Sequence, residues 1–143
     1  MTMELQQAIN LYHKSVDQFS RGNSQPIKLL YSHKDDVFLA NPFGLVVVGW
    51  NKVSEALDFA SSKFSDGEVT KFDLITKYES AELVIVFEVE KWKAKVGERK
   101  ELASFDLRVT TAFRKEEGNW KVVHRHADPI ATFNAEGPLR GDL

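Results

Sequence analysis

The sequence predicts an α+β fold in which three helices pack on one face of a strongly bent antiparallel sheet. In the first part of the chain, apolar residues recur every three to four positions, which is the period of a helix. From residue 69 onward they follow strand patterns, with strict alternation over residues 105–113. Short turns separate the long strands, so we expect these strands to form an antiparallel meander.

The first predicted helix carries one apolar stripe at positions Leu5, Ala8, Ile9, Tyr12, Val16 and Phe19. Gly22 provides its C-terminal stop. A short second helix follows, with Ser24 as its N-cap and Pro26 in its first turn. Two brief strands are predicted next, at residues 37–40 and 45–48, and the turn Asn41-Pro42-Phe43-Gly44 separates them.

The third helix is predicted from Asn51 to Phe64, with Ser65-Asp66-Gly67 as its stop. Four strands follow, at residues 69–78, 83–92, 105–113 and 120–127. Three helices laid on one face of a bent sheet enclose a cone-shaped cavity. Such a cavity is a natural site for a small molecule.

Composition limits the function classes. The chain has 143 residues, of which 43% are hydrophobic and 28% charged, as expected for one globular domain. We predict a single domain over residues 1–143, with a core at about 3–130 and a loose tail at about 131–143. The absence of cysteine excludes disulfides and thiolate metal sites.

Charge and hydropathy indicate the expected location of the protein and the classes of partner. The net charge of −2 lacks the basic excess typical of nucleic-acid binders. No apolar run approaches the roughly 18 residues of a membrane span. The first residues do not have the pattern of a signal peptide. We therefore expect a cytoplasmic protein with no nucleic-acid or membrane partner.

Three stretches carry a family resemblance: residues 35–44 followed by Gly49, residues 107–115 and residues 118–126. With the order of the predicted elements over about residues 3–130, they resemble the nuclear transport factor 2-like superfamily. The similarity is to its SnoaL-like and ketosteroid-isomerase-like branch. The resemblance implies a cone-shaped fold with an internal ligand pocket, but the superfamily hosts many activities.

The resemblance does not carry over the isomerase machinery. Ketosteroid isomerases place a general base, an Asp, before a Pro-x-Gly turn, and Asn41 stands at that position here. An amide cannot accept a proton at neutral pH, so a standard ketosteroid isomerase is excluded. The position of the isomerase's tyrosine falls near Ser15 or Val16, with Tyr12 one turn away, and its protonated Asp falls near Thr110.

Four residues are the candidates for acid/base chemistry: His126, Arg108, Asn41 and Asp106. Asn41 would position a carbonyl or a water, and His126 would move a proton. Asp106 and Arg108 lie two positions apart and so face the same way, in the reverse of the Arg-x-Asp order of limonene epoxide hydrolases. The alternation of side chains along the strand does not decide whether Arg108 faces the pocket or the opposite side of the sheet. The resemblance favours an inward Arg108 and an inward His126.

Each candidate has a plainer alternative. His124, His126 and Asp128 alternate on one strand face and could hold zinc or iron, although we expect no metal and no cofactor. Arg108 could instead face solvent or a dimer surface. The ligand pocket is predicted to be lined by aromatic and polar residues that could equally be core: Tyr12, Trp50, Phe59, Phe87, Trp92 and Thr110.

Two functions remain open. The first is binding of a small, largely apolar organic ligand in the cone, with isomerase, cyclase or hydratase chemistry as an extension. The second is a non-catalytic module for dimerisation or partner binding. The unbroken apolar run over residues 83–87 places apolar side chains on both sheet faces, and the helices cover one of them. A second copy is the simplest cover for the other face, so we expect a homodimer.

Overall fold

The computed structural model describes residues 3–130, which form three helices and six strands. These elements are α1 (Leu5–Phe19), α2 (Gln25–Leu30), β1 (Phe38–Ala40), β2 (Val46–Val48), α3 (Trp50–Ser61), β3 (Phe64–Glu79), β4 (Leu83–Val96), β5 (Ala103–Glu116) and β6 (Asn119–Pro129). The predicted tail at about 131–143 lies outside the described residues. None of these three helices has the length and apolar character needed to cross a membrane.

The six strands form one sheet in the order β2-β1-β6-β5-β4-β3. Strands β3 to β6 pair as the predicted antiparallel meander. Strand β1 runs parallel to β6, so the prediction of a purely antiparallel sheet is wrong at this pair. No hairpin joins β1 to β6, and their relative direction is therefore not fixed by a short turn.

Helix α1 matches its predicted boundaries. Its apolar stripe is buried, and Gly22 follows in the left-handed region at φ +87°. The face of the sheet that the helices cover is called the inner face here, and the opposite face the outer face. Side chains from α1, α3 and the inner face form one hydrophobic core.

The predicted end of the third helix is wrong. Helix α3 stops at Ser61, and Phe64 already begins β3. Gly67 belongs to β3, where the end of α1 passes very close: a Cβ on Gly67 would lie 2.8 Å from Ser20 Cβ. This glycine is required by a close approach of backbones and not by a helix stop.

Bulges bend the sheet. Strand β3 shifts register against β4 at three places, between Ser65 and Glu68, between Val69 and Lys71 and between Leu74 and Thr76. Each bulge bends the strand and increases its twist, which curves the sheet around the helices.

A further bulge changes the orientation of β6. Phe113 pairs with Val122 and Ala112 pairs with His124, so Val123 is an extra residue with no partner on β5. Because side chains alternate along a strand, one extra residue exchanges the two faces beyond it. Val122 lies on the inner face before the bulge, and Arg125 and Ala127 lie there after it.

Candidate functional site

A chain of hydrogen bonds crosses the inner face near its centre. Arg125 of β6 contacts Glu90 of β4 with both terminal nitrogens, Nη1 to Oε2 at 2.8 Å and Nη2 to Oε1 at 2.9 Å. Trp92 donates from Nε1 to the same Oε1 at 3.0 Å. Arg125 Nη1 also donates to Tyr12 Oη at 2.6 Å, which leaves the Tyr12 hydroxyl to donate to Thr111 Oγ1 at 2.7 Å.

This network is buried and its charges balance. Arg125 is only 6% exposed and Glu90 is fully buried. Burial opposes the charged form of Arg125, but the attraction of Glu90 and Tyr12 and the hydrogen bonds to both together outweigh it, so the pKa of Arg125 stays well above its usual value. Burial raises the pKa of Tyr12 to about 12. The network therefore holds a neutralised ion pair and a protonated phenol at neutral pH.

A small apolar cavity lies beside the network. Its volume is about 20 Å³, which is room for about one water. Aromatic side chains fill much of the space around it. The lining includes Phe19, Phe43, Phe64, Trp92, Asn41 and Arg125.

Asn41 ends β1 at the wall of this cavity. Its Oδ1 accepts hydrogen bonds from the backbone N–H groups of Phe43 at 3.0 Å and Leu45 at 3.2 Å, which fixes the turn between β1 and β2. Its Nδ2 is buried and has no hydrogen-bond partner among the described residues. An amide donor left unpaired inside a protein is costly unless something accepts from it.

A second polar pair connects α1 to the sheet. His13 Nε2 lies 2.8 Å from Glu88 Oε2, and the His13 ring stacks on Phe72 with centroids 3.9 Å apart. Glu88 is 3% exposed, and its Oε1 has no partner within residues 3–130. The pair connects α1 with β3 and β4 at the partly exposed edge of the inner face.

Only three of the ten predicted site residues meet at the interior: Asn41, Tyr12 and Trp92. Five others lie on the outer face instead: Arg108, His126, Asp106, Phe87 and Thr110. This corrects the expectation that Arg108 and His126 point inward. On β5 the inner positions are Leu107, Val109 and Thr111, and on β6 the bulge at Val123 turns His126 outward.

These outer residues make surface contacts. His126 Nε2 lies 3.1 Å from Asp128 Oδ2, and Asp106 Oδ2 lies 3.4 Å from Lys91 Nζ. Arg108 has no ion-pair partner within residues 3–130. In the same part of the chain, no group of three His, Asp or Glu side chains is arranged to hold a metal ion.

The two remaining candidates lie on α3. Trp50 stacks on His33 with ring centroids 3.9 Å apart, at the start of the helix. Phe59 is about half exposed and meets Phe43 edge to face at 6.4 Å. Asp36, two residues before β1, forms a bidentate pair with Arg114 at 2.7 and 3.0 Å. Hydrogen bonds from Arg114 hold the pKa of Asp36 below its ordinary value.

Sequence reasoning missed Arg125 and His13 as members of polar sites. Glu88 and Glu90 share one face of an otherwise apolar strand, which was a readable signal of buried carboxylates. Arg125 gave no such signal, because its orientation depends on the bulge at Val123.

The outer face carries a continuous row of side chains across all six strands. Cross-strand pairing connects Tyr78, Ile85, Ala112, His124, Phe38 and Val48 in that order. This set is called the outer row below. The His124 and Phe38 rings stack with centroids 4.4 Å apart. A parallel row of Thr76, Phe87, Thr110, His126, Ala40 and Val46 lies beside it.

The outer row is uncovered in the described chain. Tyr78 is 66% exposed, Val48 56% and Ile85 36%, although all three are large apolar side chains. Exposed apolar surface that spans a sheet marks an interaction site.

Comparison with known proteins agrees with this architecture. The family model of the SnoaL-like domain matches residues 6–132. No curated protein matches the chain. The match confirms the family resemblance predicted from the three sequence stretches.

Solved structures share the fold at low identity. An NTF2-like superfamily protein from Salmonella enterica serovar Typhimurium has a TM-score of 0.75 at 20% identity, covering 91% of this chain and 92% of that one. A ketosteroid isomerase-like protein from Erwinia carotovora atroseptica has a TM-score of 0.73 at 16% identity, covering 89% and 94%. A candidate calcium/calmodulin-dependent protein kinase type II association domain from Thiobacillus denitrificans has a TM-score of 0.69 at 14% identity, covering 92% and 98%.

Proposed function

We propose that this chain, which belongs to the SnoaL-like family, is a self-associating module in which two copies pack through the outer row. The observation that carries the proposal is the uncovered apolar row across all six strands. The helices cover only the inner face, so the outer face needs a partner of matching shape. A second copy presents the same row and forms a closed pair by two-fold symmetry.

Charges beside the outer row favour a second copy over an unrelated partner. Across β3 to β6, cross-strand pairing also connects Asp73, Val89, Arg108 and Asp128. This line carries both signs, and within residues 3–130 Arg108 has no ion-pair partner. A surface of mixed sign can complement an inverted copy of itself.

The interior favours association over catalysis. The cavity of about 20 Å³ is far smaller than the few hundred Å³ of a typical ligand pocket. The groups beside it are a neutralised Arg125–Glu90 pair and a protonated Tyr12, and neither is poised to move a proton at neutral pH. The Thiobacillus denitrificans neighbour is described as an association domain, which agrees with this proposal.

The test is the oligomeric state of an Ile85→Glu variant, measured by light scattering after size exclusion. We expect a dimer for the parent chain and a monomer for the variant, because a carboxylate in the outer row would be buried against an apolar partner. Leu29→Glu is the matched control, since Leu29 is 73% exposed on α2, which the outer row does not include. A monomeric parent chain, or an Ile85→Glu variant that remains dimeric, would contradict the proposal.

A second candidate function is binding of a compact organic ligand in the interior. The unpaired Nδ2 of Asn41 and the guanidinium of Arg125 line the same cavity, where both could donate to a carbonyl or carboxylate. Apolar neighbours such as Phe64 would contact the rest of the ligand, and the Phe43 turn would have to move to admit it. Isomerase, cyclase or hydratase chemistry in this cavity would also need a general base. Neither Asn41 nor Arg125 can act as one, so the ligand itself or a movement of the protein would have to supply it.

Native mass spectrometry of freshly purified protein tests this candidate. Extra mass that disappears after unfolding and refolding would support an interior ligand. An unliganded mass, together with no shift in melting temperature across a set of small carboxylic acids, would reject it.

A further inference from the structure

We propose that His124 makes the association of two copies sensitive to pH, so that mild acid separates them. This inference rests on the proposed function, because it concerns the same outer row. Histidine is the side chain whose charge ordinarily changes between about pH 5 and 8.

The position of His124 supports this role. It lies inside the outer row, between Ala112 of β5 and Phe38 of β1, with three strands on one side of β6 and two on the other. Its ring stacks on Phe38 at 4.4 Å and is partly buried already in one copy. A partner packed on the row would cover the remaining part of the ring.

The surroundings of His124 offer its imidazolium no compensation. Within residues 3–130, His124 forms no hydrogen bond or ion pair with a carboxylate. On its own strand the neighbouring outer side chains are His126 and Lys121, and on β5 the nearest charged group is Arg114. The Arg114 charge is already matched by Asp36 and Glu116.

The other strands add few charges to this row. The residues of β1, β2 and β4 in it are Phe38, Val48 and Ile85, and β3 contributes Tyr78. The nearest acidic group along β6, Asp128, already pairs with His126. Among the described residues, a positive charge on His124 therefore has no carboxylate partner of its own.

The direction of the pH effect follows from the linkage between proton binding at His124 and association of the two copies. Burial lowers the pKa of His124 in a single copy, and the nearby His126 lowers it further. Complete burial against a partner lowers it more, so the associated state binds fewer protons than the separated copies. Association is then strongest when His124 is neutral and weakens as the pH falls.

Symmetry doubles the effect, since each dimer contains two copies of His124. We expect each of the two sites to change the affinity by about tenfold. The dissociation constant should therefore rise by up to about 100-fold between slightly alkaline and mildly acidic pH.

The experiment is sedimentation velocity over a concentration series, at about pH 8 and about pH 5.5 with constant ionic strength. We expect the parent chain to dissociate at the lower pH and His124→Asn to remain dimeric at both. His126→Asn is the comparison variant: it lies two residues away on the same face, but its histidine pairs with a carboxylate. Because His126 lowers the pKa of His124, we expect this variant to shift the pH dependence without abolishing it. His124→Gln is measured in parallel, and near-ultraviolet circular dichroism at both pH values verifies that each variant is folded.

The outcomes separate the two proposals. A parent chain that is dimeric with equal affinity at both pH values leaves the proposed function intact and overturns the role of His124. The same role is overturned if His124→Asn and His124→Gln keep the parent's pH dependence, or if His126→Asn abolishes it. A parent chain that is monomeric at both pH values overturns the proposed function and this inference with it.

Discussion

Arg125 connects three elements in the interior, β6, β4 and α1. Its guanidinium donates two hydrogen bonds to Glu90 and one to Tyr12. A buried ion pair of this kind adds little net stability compared with an apolar pair, but it is costly to break from one side. Arg125 therefore fixes how β6, β4 and α1 meet without leaving a free charge for chemistry.

At this scale we predict that Arg125→Met lowers the free energy of unfolding by about 3–5 kcal/mol, because Glu90 is left buried without a cation. The measurement is urea-induced unfolding. Arg108→Met on the outer face is the control, and as an exposed substitution it should change stability by less than about 0.5 kcal/mol. The double variant Arg125→Met/Glu90→Leu should recover most of the loss. A single variant as stable as the parent would show that the pair is not closed in solution.

At the scale of the elements, irregular strands define the two faces. The bulge at Val123 places Arg125 inside and His124 outside, and the bulges of β3 bend the sheet around α1. Gly67 allows the closest approach in this region, between the end of α1 and β3. These positions, more than the regular strand segments, set the shape of the interior.

Gly67→Ala tests this approach. The new Cβ would lie 2.8 Å from Ser20 Cβ and 2.9 Å from Ala94 Cβ, so α1 must shift. We expect a loss of about 3 kcal/mol in the free energy of unfolding. Gly44→Ala has no atom within 4 Å and suffers only from its φ of +89°, which should cost about 1 kcal/mol. Equal losses in the two variants would argue against tight packing at Gly67.

For the whole molecule, the helices close one face of the sheet and leave the other open. The closed face holds a nearly filled core with a neutral polar centre, and the open face carries the outer row. Residues of the inner face therefore pack into the core, whereas large side chains of the outer face, such as Tyr78 and Val48, remain exposed.

The buried phenol of Tyr12 should make the free energy of unfolding depend on pH in the alkaline range. Burial raises the pKa of Tyr12 to about 12, whereas a tyrosine in the unfolded chain ionises near 10. The folded state thus keeps this proton to higher pH, so stability is full below about pH 10 and declines as the pH rises towards 12, by up to about 1.4 kcal/mol per pH unit. Denaturant unfolding at several alkaline pH values should show a shallower decline for Tyr12→Phe. An unchanged slope in Tyr12→Phe would mean that Tyr12 is open to solvent.

The sequence by itself determined the α+β class, helix α1, the four-strand meander and the SnoaL-like family, because periodicity and turn residues are local properties. It also placed Asn41 at the wall of the cavity. Only the tertiary structure decided that β1 runs parallel to β6, that Phe64 belongs to β3, and that Arg125 rather than Arg108 or His126 faces inward. The physical reason is that strand alternation fixes which residues share a face only until a bulge interrupts it. The choice of face depends on packing between distant segments, as when α1 meets Glu90 and Arg125 through Tyr12.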